Sequence, residues 1–316
     1  MASWRRLIET SIVDKATKIY WGESLSKHTT IRIGGQAECF IVANTVDDLK
    51  TILAIAEHQS IPLFILGNGS NILISDQKFN GIVIKLGDAF SYCMIENNNL
   101  RIGAATPLSH ILTYLLDKSL SGFEFLWGIP GTFGGAIVSN AGAYSQNIGD
   151  RTIKINGLLP DGQEVAIDKN NLHFDYRKTT LPLGFIIMEG FLQITSNRPT
   201  AIRQLIAEYR KKRTLTQPAG ASAGSVFKNP KLVSAGKLID DNNLKGVCNG
   251  NAYISRKHGN FILNRCNASF INVYELLQII KSTVEFNTGT ILEEEIQVLP
   301  KSQEVKKWQN QKNCSG

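Results

Sequence analysis

The chain has 316 residues, 43% of them hydrophobic and 19% charged, with a formal net charge of +7. That length suits two or three domains and that composition suits buried cores, which excludes a disordered or fibrous chain. No apolar run approaches the roughly 20 residues that span a bilayer, the first ten residues lack the apolar stretch of a signal peptide, and five scattered cysteines without C-x-x-C spacing argue for reduced thiols in the cytoplasm and against structural zinc.

Cys39–Ala43 and Ile61–Leu66 read as short buried strands. Between them Leu49, Ile52, Leu53 and Ala56 mark one helical face, with Thr45 as N-cap and Asp48 three residues on. Ile72–Ser75 and Ile82–Leu86 are further strands. Thr106-Pro107 reads as a cap followed by a proline at the first helical position, and Leu108, Ile111, Leu112 and Leu115 form the stripe of that helix. A β-rich stretch follows over Ile153–Leu159, Gln163–Ile167 and Phe185–Ile194, with Asp161-Gly162 as a hairpin turn.

A helix with stripe Ile202, Leu205, Ile206 and Tyr209 runs into the basic cluster Arg210–Arg213. The Ala-, Gly-, Ser- and Pro-rich stretch Thr214–Ser225 reads as a boundary loop. Beyond it the pattern gives a helix near Ala235–Asn242 and a strand at Asn260–Asn264. A helix over Val273–Phe286 is capped by Asn272, with Glu275 at N3, and stops near Gly289. A strand over Ile291–Leu299 closes the fold. The pattern is α+β in parts of roughly 1–86, 87–200 and 201–301, followed by a tail over 302–316 whose polar composition predicts disorder.

Segment 128–144 (Gly-Ile-Pro-Gly-Thr-Phe-Gly-Gly-Ala-Ile-Val-Ser-Asn-Ala-Gly-Ala-Tyr) packs five glycines among small and apolar residues. Glycine permits positive φ and close approach to the main chain, and successive bare N–H groups form an anion nest. A second glycine motif, Leu66-Gly-Asn-Gly-Ser-Asn-Ile-Leu73, follows an apolar strand as a phosphate loop does. It lacks the third glycine of a dinucleotide fingerprint, and no G-x-x-x-x-G-K-[ST] occurs. Two such loops suggest a grip on one large nucleotide, and the basic balance favours an anionic partner. A nucleic-acid module would interleave aromatic and basic residues on strands, and no strand does. The five histidines show no metal spacing.

Six motifs now stand in one order: Thr30-Ile-Arg-Ile-Gly-Gly35, Gly67-Asn-Gly-Ser-Asn-Ile72, Gly128–Tyr144, Tyr176-Arg177, Gly224-Ser-Val-Phe-Lys-Asn-Pro230 and Leu292-Glu-Glu-Glu-Ile296. Together they resemble the UDP-N-acetylenolpyruvoylglucosamine reductase family, from about Thr30 to Pro300. The resemblance implies a vanillyl-alcohol-oxidase-type (PCMH-type) FAD-binding fold of two subdomains plus a C-terminal α+β substrate domain. It implies FAD as cofactor and NADPH as reductant, with UDP-N-acetylglucosamine enolpyruvate as the substrate reduced to UDP-N-acetylmuramate in cytoplasmic peptidoglycan synthesis. A second reading of the same resemblance is another FAD-dependent alcohol or hydroxy-acid oxidoreductase. A monomer without nucleic-acid or membrane partners is expected.

For the residues, the resemblance implies that Gly67, Asn68, Gly69, Ser70 and Asn71 hold FAD together with Gly128, Ile129, Pro130, Gly131, Thr132, Gly134, Gly135, Asn140, Gly142, Ala143 and Tyr144. Ser225 matches the proton donor; a serine serves as acid only toward a strongly basic, aligned enolate. Arg177 matches the group that binds the substrate carboxylate and steadies enolate charge, a task suited to its planar, permanently charged fork. Glu295 matches the third catalytic member, available in protonated form. Tyr176, Arg213, Lys228, Asn229 and, more weakly, Lys257 match substrate-binding positions; no metal is implied. Arg177 and Ser225 stand 48 residues apart, which fits the family form without a tyrosine-bearing loop. Ser145 replaces an expected glycine.

Overall fold

The computed structural model describes residues 3–300; the tail expected over 302–316 lies outside the described residues. The chain divides into two compact units. The first takes the described residues of Met1–Glu23, Ala37–Asn68 and Asn80–Leu215, the second those of Ser24–Gln36, Gly69–Phe79 and Thr216–Gly316. Segments 24–36 and 69–79, early in the sequence, thus belong with its C-terminal third.

The first unit contains a four-stranded and a five-stranded sheet, each with its own core, beside short two-stranded pairs. One has strand order Lys18–Trp21, Ala37–Ala43, Phe79–Leu86, Leu63–Ile65. Helices α1 (Ser3–Ser11) and α2 (Val46–His58) belong with it. Thr45 caps α2 as the sequence predicts, its hydroxyl accepting the Asp48 N–H at 3.0 Å and satisfying one orphan donor of the first turn. The stripe Leu49, Ile52, Leu53 and Ala56 is buried in one cluster with Ile41, Ile82 and Ile84.

The other sheet is antiparallel, in the order Glu164–Asp168, Thr152–Leu158, Ile186–Gln193, Asn99–Gly103, Cys93–Glu96. Its first two strands are joined by the expected turn, with Gly162 at φ +82°. Helices α3 (Leu108–Asp117), α4 (Phe133–Val138) and α5 (Pro199–Thr216) accompany it. Its core gathers the α3 stripe with Phe123, Phe133, Ile155, Leu192 and Tyr209.

Glu189 is buried in this sheet. It accepts hydrogen bonds from the Tyr92 hydroxyl, from Arg101 Nε at 2.8 Å and from Asn156 Nδ2 at 2.6 Å. Burial alone would raise its pKa, but the three donors and the Arg101 charge hold the carboxyl below its ordinary value. Burial and the Glu189 carboxylate push Tyr92 up to about 12.

The second unit is built on a sheet ordered Ala221–Ser225, Phe261–Asn264, Ala252–Ile254, Cys248–Asn249. It carries α6 (Ala235–Asp241) and α7 (Phe270–Thr288). Gln297–Leu299 pairs in parallel with Ile72–Ile74. Ile31, Ile33 and Leu73 share one core with Phe227, Ile262, Val273, Tyr274 and Leu277.

Four local expectations are corrected. Pro107, not Thr106, is the N-cap of α3; the Thr106 hydroxyl is held by the Tyr92 backbone, which it bonds at both N–H and C=O. Helix α7 starts earlier: Ser269 and Asn272 form a reciprocal capping box, so the residue taken for the cap is N3. Thr214–Ser225 is not a loop throughout, since α5 continues to Thr216 and Ala221–Ser225 is a strand. Small residues are tolerated there because the strand pairs by main chain with Phe261–Asn264. Ile291–Leu299 is a strand only over Gln297–Leu299, preceded by an isolated bridge between Phe227 and Glu294.

Ser269→Ala removes one half of the α7 capping box and lowers stability by about 1 kcal/mol, read as a lower thermal midpoint. Because the folded Glu189 carboxyl sits below its unfolded value of about 4.5, its stabilisation is present above that pH and is lost as pH falls through the folded pKa. Glu189→Gln is expected to lower the melting temperature at neutral pH and to shrink the further loss on acidification; an unchanged acid limb in a pH series of melts contradicts this.

Candidate active site

Within the first unit, segment 128–144 begins with Gly128 at φ +73°, in the region open to glycine. A Cβ there would come within 3.3 Å of Arg213 Cδ. Thr132 caps the short α4, its hydroxyl accepting the Gly135 N–H at 3.5 Å. The other glycine motif arrives at the same place, since a Cβ on Gly67 would meet the Thr132 hydroxyl at 3.0 Å. Gly128, Pro130 and Gly135 are exposed. The result is a strip of bare main chain beside Gly67 and Asn68 that suits the diphosphate of a dinucleotide. The residues present thus fit FAD. Gly69, Ser70 and Asn71 belong to the second unit.

The far end of the segment is tied to Arg177. Asn140 is buried; its Nδ2 donates to Asp175 O at 2.9 Å and its Oδ1 accepts the Gly149 N–H at 3.1 Å. Its amide thereby braces the hairpin His173–Asp175/Lys178–Thr180, whose turn holds Tyr176 and Arg177. Arg177 sits at φ +58°, a conformation that non-glycine residues keep only when their surroundings fix it. Its Nη1 donates to Gly142 O at 2.9 Å, and its guanidinium lies 5.4 Å from the ring centroid of the exposed Tyr176. Gly142–Ala143 pairs with Gln146–Asn147, with Tyr144 at φ +56° and Ser145 at φ +60° between them. Two left-handed central residues make a tight turn that favours glycine at its second position; Ser145 occupies that position.

Arg213, near the end of α5, donates from Nη1 to Trp127 O at 3.1 Å. Burial pushes its pKa down, and the like charge of Arg177 adds to that effect. Arg177 and Arg213 are thus tied to main-chain carbonyls at the two ends of one glycine-rich segment. Such a pair suits a ligand bearing several negative charges.

In the second unit, Ser225 follows a bulge in its strand, where the register with Phe261–Asn264 shifts between Ser222 and Ser225. Gly224, at φ +77°, makes that bend. The next residues bridge to the Glu295 segment: Glu295 N–H donates to Val226 O at 2.9 Å and Lys228 N–H to Glu293 O at 2.9 Å. Asn71 braces the Glu295 segment, donating from Nδ2 to Glu295 O at 3.1 Å while its main-chain carbonyl accepts the Gln297 N–H at 2.9 Å. Ser225 and Glu295 thus stand on adjoining main-chain segments, while Arg177 belongs to the first unit.

The remaining expected contacts differ in character. Lys228 Nζ pairs with the exposed Glu293 at 3.1 Å, a contact of little energetic worth. Asn229 Oδ1 accepts the Ala235 N–H at 3.1 Å, at the start of α6. Lys257 is exposed, and its N–H donates to the Ser255 hydroxyl at 3.1 Å.

Two residues here carry no signal in the expected pattern. Asn260, buried, accepts the Phe227 N–H at 2.9 Å and donates to Phe227 O at 2.7 Å, fixing the strand just past Ser225. Tyr209 reads as one more apolar position of α5, yet its ring stacks on Tyr144 at 4.3 Å. An asparagine heading a strand and a tyrosine in an aliphatic stripe are the only sequence hints.

Comparison with known proteins adds a family. Residues 37–168 match the model "FAD binding domain", and residues 216–299 match "UDP-N-acetylenolpyruvoylglucosamine reductase, C-terminal domain". The chain is 36% identical over 287 residues to the UDP-N-acetylenolpyruvoylglucosamine reductase of Caldanaerobacter subterraneus subsp. tengcongensis, covering 90% of this chain and 95% of the relative. It is 33% identical to that of Bacillus subtilis over 285 residues, covering 89% and 94%. The crystal structure of the reductase from Thermus caldophilus superposes with a TM-score of 0.78 at 33% identity, over 89% of this chain and 98% of that one. The glucose dehydrogenase Phl p 4.0202 shares the fold, with a TM-score of 0.51 at 10% identity over 71% of this chain and 51% of that one.

Ser145→Gly relieves left-handed strain at the Tyr144-Ser145 turn and is expected to raise stability by about 0.5–1 kcal/mol. A thermal midpoint at or below that of the wild-type protein would show that the turn carries no such strain.

Proposed function

The chain belongs to the UDP-N-acetylenolpyruvoylglucosamine reductase family, whose FAD-dependent reduction draws on NADPH, and we propose that Arg177, Ser225 and Glu295 carry the chemistry of that reaction. The observation that supports this most directly is that Arg177 and Arg213 are tied to main-chain carbonyls at the two ends of the glycine segment. When bound, FAD supplies the hydride relay between NADPH and the enolpyruvyl group.

The protein's own residues do the rest. Arg177 holds the substrate carboxylate and offsets the charge that builds up in the enolate; a planar guanidinium fork matches a carboxylate in two hydrogen bonds. Its side chain is already directed by Gly142 O, so little reorganisation is needed. The Ser225 hydroxyl donates the proton that completes reduction of the double bond. A hydroxyl suffices because an enolate is strongly basic. Glu295, its main chain braced by Asn71 and Val226, is the second acidic group.

Arg213 and Lys228 supply charge for the nucleotide diphosphate, and Tyr176, Asn229 and Lys257 its further contacts. The first unit, with two cores, is the FAD-binding part. The second is the substrate part, with segments 24–36 and 69–79 contributed to it. The protein works as a cytoplasmic monomer on a small-molecule substrate, without nucleic-acid or membrane partners.

NADPH consumption is expected to rise when UDP-N-acetylglucosamine enolpyruvate is added to the FAD-loaded protein; consumption indifferent to that compound refutes the substrate assignment. Ser225→Ala is expected to leave flavin bleaching by NADPH unchanged and to slow reoxidation by the sugar nucleotide by roughly 10²- to 10⁴-fold, the usual contribution of a positioned acid. Equal loss in both half-reactions would refute proton donation.

A further inference from the structure

Tyr209 is buried near the end of α5, and every polar contact it makes with the Gly142–Asn147 hairpin bears on the same short element. Its ring stacks face to face on Tyr144, with centroids 4.3 Å apart and planes 5° apart. The Tyr144 hydroxyl donates to Tyr209 O at 3.4 Å, and Gln146 Nε2 donates to the Tyr209 hydroxyl at 3.1 Å. Only two residue pairs form this hairpin, and both residues at its tip are left-handed without being glycine. Such a turn does not keep its shape by local preference; an outside contact must fix it. The Gly142 carbonyl of that hairpin is the acceptor for Arg177 Nη1. One helical turn beyond Tyr209, Arg213 lies against Gly128 and donates to Trp127 O. The last turns of α5 therefore hold both ends of the glycine segment.

We propose that Tyr209 is a positioning residue for Arg177, acting through the Tyr144 stack and the Gly142 carbonyl. The inference rests on the reading of Arg177 as the ligand of the substrate carboxylate. A tyrosine that only filled the core would matter for stability but not for how Arg177 meets a carboxylate. Here the ring is instead joined to Arg177 by one hairpin and one hydrogen bond, a path short enough for a displaced ring to shift the guanidinium.

The test measures the affinity of the FAD-loaded protein for UDP-N-acetylmuramate by calorimetry, beside the thermal midpoint and the KM for UDP-N-acetylglucosamine enolpyruvate. Tyr209→Leu, which removes the stack, is expected to weaken product binding and raise that KM about tenfold, less than the roughly hundredfold that a full ångström of misplacement can cost. NADPH bleaching of the flavin, measured at saturating FAD because Tyr144 is itself expected at the cofactor, should fall less than product binding does, since Arg177 acts on the other half-reaction. Tyr209→Phe, which keeps the ring, should restore product binding. In the Arg177→Lys background, Tyr209→Leu should add little further loss, because residues acting through one contact are not additive. Should Tyr209→Leu fail to fold, Tyr209→Met, which also lacks a ring, is read the same way. Full additivity of the two substitutions, or a lower melting temperature with unchanged product affinity, overturns the inference and leaves the role of Arg177 standing. Unchanged product affinity in Arg177→Lys alone overturns both.

Discussion

Two guanidinium groups, from Arg177 and Arg213, are anchored at the two ends of one glycine-rich segment, and the Arg177 charge adds to the burial that lowers the pKa of Arg213. Helix α5 carries one, a left-handed hairpin turn carries the other, and both donate to main-chain carbonyls, of Trp127 and Gly142. Two permanent positive charges on one segment favour an anionic ligand over a neutral one. Bare amides between them extend the same preference for negative charge.

In the second unit the corresponding constraint is main-chain alignment. Ser225 and Glu295 lie far apart in sequence, and neither is brought to the other by a regular strand. A single bridge at Phe227 and Glu294, with side-chain amides of Asn71 and Asn260 on either side, sets the two segments together. Asn260 uses both the acceptor and the donor of its amide on Phe227, mimicking a ladder partner, while Asn71 lends its amide donor to Glu295 O.

Much of this was legible in the sequence, for definite reasons. The stripes of α2 and α3 follow a helical period and face the core, as burial requires. Thr45 and Gly289 mark helix ends because capping is a local matter. The motifs around Gly67, Gly128–Tyr144, Arg177, Ser225 and Glu295 pointed to the family that comparison shows. Reading failed where tertiary contacts decide. The Thr106 hydroxyl serves Tyr92 rather than α3, Ala221–Ser225 is a strand in spite of its small residues, and Ile291–Ile296 stays irregular although its apolar spacing imitates a strand. Tyr209 was hidden by the stripe it completes, since periodicity reports burial and says nothing about what a buried ring touches.

The interleaving of the two units has a consequence for how the protein is made. Ile31, Ile33 and Leu73 leave the ribosome early, yet the residues that bury them, among them Ile262, Val273, Leu277 and Leu292, are synthesised last. The strand Ile72–Ile74 likewise waits for Gln297–Leu299 before it has a partner. The nascent chain must therefore carry exposed apolar segments through nearly the whole of translation while the first unit's two sheets can already close. Late closure of the second unit's core follows from an order of assembly that runs against the order of synthesis.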